Sequence, residues 1–162
     1  MSTRSNIYLK LKDESKGQTI KFDFDKLPRE HGEQHAELEF PIKDVTIPQN
    51  AEYIGIYHHW DGYPEGVGVT LVKKFNDYDT ILNLLLGGNA SSINGDVIRQ
   101  YCAWDGEDWK LEQPNQLDYD ECICSEKYIY KFENGKWYFK AYAYKDEEWK
   151  DLREYLEIVK EL

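Results

Sequence analysis

The chain has 162 residues, enough for one domain that buries about two thirds of its surface on folding. Its 41% hydrophobic and 15% aromatic content exclude a disordered chain and favour a β-rich core, since aromatic rings fit a pleated surface. A net charge of -11 excludes attraction to phosphate backbones, so no direct nucleic-acid binding is expected, and it sets the chain against anionic membrane surfaces. It leaves a basic protein open as a partner, beside the plainer use of acidic residues for solubility.

No apolar run approaches the roughly 20 residues that span a bilayer. No apolar signal region follows Met1-Ser2-Thr3-Arg4-Ser5. The three cysteines, Cys102, Cys122 and Cys124, suit a reducing compartment, so a cytoplasmic chain is expected.

Residues 6–12 alternate, with Ile7, Leu9 and Leu11 on one face and Tyr8 and Lys10 on the other, which predicts a half-buried strand. A turn at 13–17 leads to a second alternating run, 19–24, and the two read as a hairpin. A charged loop, 25–34, follows. Residues 36–42 predict an edge strand, since Pro41 removes a ladder donor. Residues 44–50 read as irregular. The run 53–57 predicts a compact apolar strand in which Gly55 marks close approach by another backbone.

A short helix is expected over 69–76. A second is expected over 78–86, capped by Asp77 and closed by Gly87-Gly88. Residues 89–95 read as a polar loop and 97–104 as a strand, with a short return at 109–111 and a further short strand around 122–124. Asn134-Gly135 predicts a hairpin between 128–132 and 136–144. Asp146 is the expected cap of a final helix to 161, with Trp149, Leu152, Leu156 and Val159 on its buried stripe. These elements predict an α+β fold: a single domain, 1–162, with a mainly antiparallel sheet and about three helices packed on one face.

The densest chemistry lies between the 53–57 strand and the first helix, at His58-His59-Trp60-Asp61-Gly62-Tyr63-Pro64-Glu65-Gly66-Val67-Gly68. A phosphate-loop reading fails, because Val69 stands where the lysine belongs and Tyr63 where the first glycine belongs. On a strand His58 and His59 point to opposite faces, so at most one can join Asp61 in a metal site. Asp61 and Glu65 are a possible acid–base pair, but Asp-Gly and Pro-Glu-Gly are also ordinary turn chemistry. No complete metal or cofactor set is read. The candidate binding residues are Arg4, His59, Trp60, Asp61, Tyr63, Glu65, Gly66 and Gly68. Their polar side chains are expected to face inward or towards a shared hollow.

Two stretches carry a resemblance: Met1-Ser2-Thr3-Arg4-Ser5 with Ile7, and the run Ile56-Tyr57-x-His59-Trp60-Asp61-Gly62-Tyr63-Pro64-Glu65-Gly66-Val67-Gly68-x-Thr70-Leu71. They resemble a family of small phage and prophage proteins of unknown function. The resemblance implies a viral or mobile-element origin and no known activity. It marks residues 13–50 as an insertion relative to that family. It departs at Val69, where the family has a basic residue. It departs again at Tyr101-Cys102-Ala103-Trp104-Asp105, where the family's histidine and arginine are missing.

Three readings of the central motif follow. One is a non-enzymatic accessory protein that binds a host protein. Another is a small-ligand or metal-binding domain, with or without hydrolytic activity, centred on the turn. A third makes His59, Trp60, Asp61 and Arg4 an internal strut, with an Arg4–Asp61 ion pair tying the first strand to the turn.

Overall fold

A computed structural model describes residues 3–31, 43–104, 109–117, 128–141 and 148–162. At its centre is β1, Ser5–Lys10. This strand pairs antiparallel with β4, Tyr53–His58, and parallel with β7, Tyr128–Glu133. The predicted hairpin between the first two alternating runs does not form. The second run, β2 (Thr19–Phe22), pairs instead with β3 (Lys43–Thr46) in a separate two-stranded sheet. The error has a physical source: alternation gives each strand a face but not a partner.

The large sheet has the order β6-β5-β4-β1-β7-β8-β9. Here β5 is Ala90–Ile93, β6 Ile98–Gln100, β8 Lys136–Ala141 and β9 Lys150–Asp151. Four of its six pairings are antiparallel among the described residues. The segment read as a polar loop at 89–95 supplies β5. The expected strand 97–104 stops at Gln100 and continues as a 3₁₀ turn, Tyr101–Ala103. Asn134 and Gly135 both have positive φ, 54° and 77°, which is the backbone a two-residue hairpin needs. Strands predicted at 36–42 and around 122–124 fall outside the described residues.

Among the described residues three helices cover one face of the sheet: α1 (Val69–Lys74), α2 (Tyr78–Leu86) and α3 (Leu152–Ile158). Asp77 caps α2 by accepting the Thr80 amide at 2.8 Å. The α2 residues Ile81, Leu82, Leu84, Leu85 and Leu86 are all buried. The expected cap, Asp146, lies outside the described residues, and the last helix starts at Leu152. Its cap is Asp151, which accepts the Glu154 amide at 3.0 Å, and Trp149 lies outside it. Residues 150–151 close the sheet as an edge strand before the helix begins, which sequence periodicity alone does not reveal.

One apolar core fills the space between sheet and helices, with Ile7, Leu9, Ile54, Ile56, Leu71 and Leu156 fully buried. Phe22, Phe24 and Ile47, from the stretch read as an insertion, belong to the same core. Arg29 enters it too. Its guanidinium donates to the Asn83 and Leu84 carbonyls at the C-terminal end of α2, to the Phe24 carbonyl and to the Asn83 and Gln100 side-chain oxygens. Helix carbonyls at that end carry partial negative charge, so a buried cation is held there without a carboxylate. Burial lowers its pKa to about 10.

The other face of β1 is also covered. Tyr8 is fully buried and packs in a second, smaller cluster with Tyr53, Leu117 and Ile129, against which Trp149 lies. A central strand has two buried faces, so the half-buried strand read from alternation is buried from Ser5 to Leu9 and only Lys10 is partly exposed.

Candidate functional site

The motif corner sits where β4 ends, beside the start of β1. Its shape is fixed by backbone bonds. The Gly62 N–H donates to the Thr3 carbonyl at 2.7 Å, and the buried Tyr130 hydroxyl donates to the Gly62 carbonyl at 2.6 Å. The chains are so close here that a Cβ on Gly62 would lie 2.8 Å from the Arg4 carbonyl carbon and the Thr3 oxygen. Asp61 turns the chain with φ 58°, a left-handed conformation that Asp tolerates better than most residues. Pro64–Gly68 then form one π-helical turn that runs directly into α1. The Val67 N–H closes the corner by donating to the Asp61 carbonyl at 2.8 Å.

The two histidines diverge as strand geometry requires. His58 lies on the core face, fully buried, with Nδ1 3.1 Å from the Ser5 hydroxyl and Nε2 without a partner. Burial, with a smaller contribution from neighbouring His59, lowers its pKa to about 3. The ring is therefore neutral. His59 is half-buried on the opposite face. Its Nδ1 is bonded to the Tyr57 hydroxyl, and its ring meets Trp60 edge-on at 4.7 Å.

The other candidates turn outward. Trp60 is 49% exposed and Tyr63 38%, and Asp61, Glu65 and Arg4 are exposed as well. No hydrogen bond or ion pair is made by the Asp61 carboxylate among the described residues, and Arg4 forms no ion pair with it. The expected strut is thus replaced by backbone: Thr3, Gly62 and Tyr130 do the tying. Glu65 reaches only the Tyr155 hydroxyl of α3, at 3.4 Å. Asp61 and Tyr63 flank Gly66, where a Cβ would lie 2.5 Å from the Asp61 carbonyl oxygen and 3.2 Å from the Tyr63 ring. Gly68 packs under Leu152, 3.1 Å from such a Cβ. The polar side chains do not converge on a shared hollow. Among the described residues no three His, Cys, Asp or Glu side chains are grouped to hold a metal ion.

Two clefts, of about 650 and 510 Å³, lie at the other end of the sheet around the Asn134-Gly135 hairpin. The larger is lined by Lys10, Lys12, Glu52 and Tyr78, the smaller by Val72, Trp137, Arg153 and Glu157. None of the candidate residues lines either. The five steps of β1 from Ser5 to Lys10 set the two ends roughly 17 Å apart.

A polar row that sequence reading missed crosses three chain segments on the sheet face away from the helices. Tyr8 stands opposite Gly55 in β4, and Gly55 is bridged on its other side to Glu112. Gly55 has no side chain, so the Tyr8 ring lies across it; a Cβ there would overlap the ring. The Tyr8 hydroxyl thereby reaches Glu112 and donates to Oε2 at 2.8 Å. Asn6 donates to the same oxygen through Nδ2. Beside this row, Tyr57 faces Asn6 across the β1–β4 pair and continues to His59. The close approach expected at Gly55 is real, but an aromatic ring makes it beside the paired backbone. Gly55 itself was the available signal. The partner, Glu112, is 57 residues further along and could not be found from spacing.

No helix among the described residues is long and apolar enough to cross a membrane. No family model, curated protein or solved structure matches the chain.

Proposed function

We propose that the chain is a phage- or prophage-type accessory protein that works in the host cytoplasm by binding a host protein, and that the motif corner is its binding surface. The observation that carries this reading is the outward display of Trp60 and Tyr63, 49% and 38% exposed, between the exposed carboxylates of Asp61 and Glu65. Large aromatics are favoured anchors at protein interfaces because they bury much area at little conformational cost. A rigid corner holds them ready, so less ordering is needed on binding. The acidic rim and the net charge of -11 favour a basic partner surface. The phage origin rests on the sequence resemblance alone.

The test compares tagged wild-type protein with a Trp60→Ala/Tyr63→Ala variant in host lysate. The reading expects one host protein to be retained by the wild type, released as salt rises, and lost by a variant that melts at the same temperature. Retention of nothing, or of the same protein equally by both, would refute it.

The alternative, a metal or hydrolytic site at the turn, finds no converging side chains there among the described residues. A small-ligand reading is favoured by a different place, the row that ends on Glu112.

A further inference from the structure

Three polar side chains meet on the sheet face away from the helices, Asn6, Tyr8 and Glu112, and Tyr57 stands opposite Asn6 in the neighbouring strand. Their donors and acceptors do not balance. Asn6 gives its amide nitrogen to Glu112. Tyr8 gives its hydroxyl proton to the same oxygen. The Asn6 side-chain oxygen accepts nothing, although Asn6 is only 2% exposed. Oε1 of Glu112 also has no partner, and no cation is paired with Glu112 among the described residues. The nearby lysines of this face are engaged elsewhere. Lys10 is paired with Glu52 at 2.5 Å, and Lys131 reaches Glu133 and lies 4.5 Å from the centre of the Trp149 ring.

The cluster therefore holds a carboxylate and a buried carbonyl oxygen, with surplus lone pairs that no donor meets among the described residues. A buried acceptor left unpaired is costly, so the missing partner is a hydrogen-bond donor. The carboxylate makes a positive donor the favoured one. Two acceptors on adjoining side chains suit a planar fork of N–H groups better than a single point donor. Tyr57, half-buried and opposite Asn6 in β4, adds an aromatic residue beside the acceptors, a kind of neighbour that a guanidinium favours. Of the three hydrogen-bonded side chains Asn6 and Tyr8 are buried and Glu112 is half-exposed, so a ligand enters from its side.

We infer that Glu112 and Asn6, with Tyr8 and Tyr57 beside them, form a binding site for a guanidinium group. The group could belong to an arginine side chain of a protein or to a free small molecule. The site does not depend on the corner surface: it lies on other residues, and its test uses defined probes in place of a partner.

The probes are agmatine, a short blocked peptide with a central arginine, and the same peptide with citrulline, which keeps the shape and loses the charge. Binding is followed by the amide signals of Asn6, Gly55 and Glu112 in ¹H–¹⁵N spectra of the full chain. The expected result is a saturable shift with an arginine probe, none with citrulline, and affinity at least about tenfold weaker in Glu112→Gln. Response to the peptide alone supports the site and assigns the group to a protein. Response to agmatine alone supports it and assigns a free ligand. Response to both supports it and shows that the guanidinium suffices. Silence with both arginine probes overturns the inference, as does equal response to citrulline. Unchanged affinity in Glu112→Gln overturns it too. The citrulline comparison needs only the wild-type chain, so the test survives if Glu112→Gln fails to fold.

Discussion

His58 and His59 are neighbours in sequence and occupy opposite faces of one sheet. On the helix side, Ile54, Ile56 and His58 are fully buried in an apolar core, and the imidazole keeps one bond, to Ser5. On the other side, Tyr53, Gly55, Tyr57 and His59 belong to a face of phenols, lysines and carboxylates. The first face is apolar around His58 and admits a charge only at Arg29, where carbonyls meet it; the second carries carboxylates, lysines and phenols. The same strand thus separates a structural role from the groups able to recognise a ligand. Adjacency in a motif says little about shared function when side chains alternate by strand geometry.

The sharpest way to break this contrast is acid. His58 takes up a proton near pH 6.5 when unfolded but only near 3 when folded, because burial penalises the charged ring. Between those values the unfolded chain binds the extra proton. Stability from this group is therefore fully present above about pH 6.5 and falls as pH drops towards 3. At about pH 4 the loss is about 3 kcal/mol. Urea unfolding at about pH 7 and about pH 4 should show this difference in the wild type and lose it in Ser5→Ala/His58→Leu, which replaces both bonded partners by apolar groups. An equal pH dependence in the two proteins would place a charged or solvated ring at His58.

A smaller effect probes the other face. Gly55→Ala puts a methyl group into the Tyr8 ring and should cost about 2 kcal/mol, read as a lower urea midpoint. In a Tyr8→Ala background the same substitution should cost less, because the ring clash is gone and only the 2.9 Å approach to the Ile7 carbonyl oxygen remains. Equal cost in both backgrounds would mean that Gly55 is needed for its backbone and not for the space above it.

Much of the fold was readable because each signal was local. Asp77 capped its helix, Asn134-Gly135 turned its hairpin, and the leucines of α2 announced a buried helix. Pairing was not local. The parallel neighbour of β1 starts at Tyr128, more than a hundred residues away, and nothing in residues 5–10 names it. The final helix was misplaced for a related reason: Trp149 matches the helical stripe by spacing, yet it packs on the opposite face of the sheet beside Lys131 and Lys140. The candidate site divided in the same way. The corner was visible as a dense motif, and its glycines did mark close packing. The outward turn of its carboxylates depended on Thr3 and Tyr130, which lie in other strands' reach. The Glu112 row was invisible because its members come from three separated segments.

The smallest expected effect decides whether the Asp61 side chain matters to the fold at all. Its φ of 58° strains any residue with a Cβ, while glycine adopts it freely. Its carboxylate makes no bond among the described residues, and its carbonyl accepts the Val67 N–H whatever the side chain. Asp61→Gly thus removes strain and loses no contact, while making the unfolded chain somewhat more flexible. The two effects oppose each other, and the net change should stay within about 0.5 kcal/mol of zero. Thermal unfolding measures it directly. A strut role for the carboxylate demands a clear drop in melting temperature. An unchanged midpoint leaves Asp61 as a residue whose backbone builds the corner and whose charge is free to face a partner.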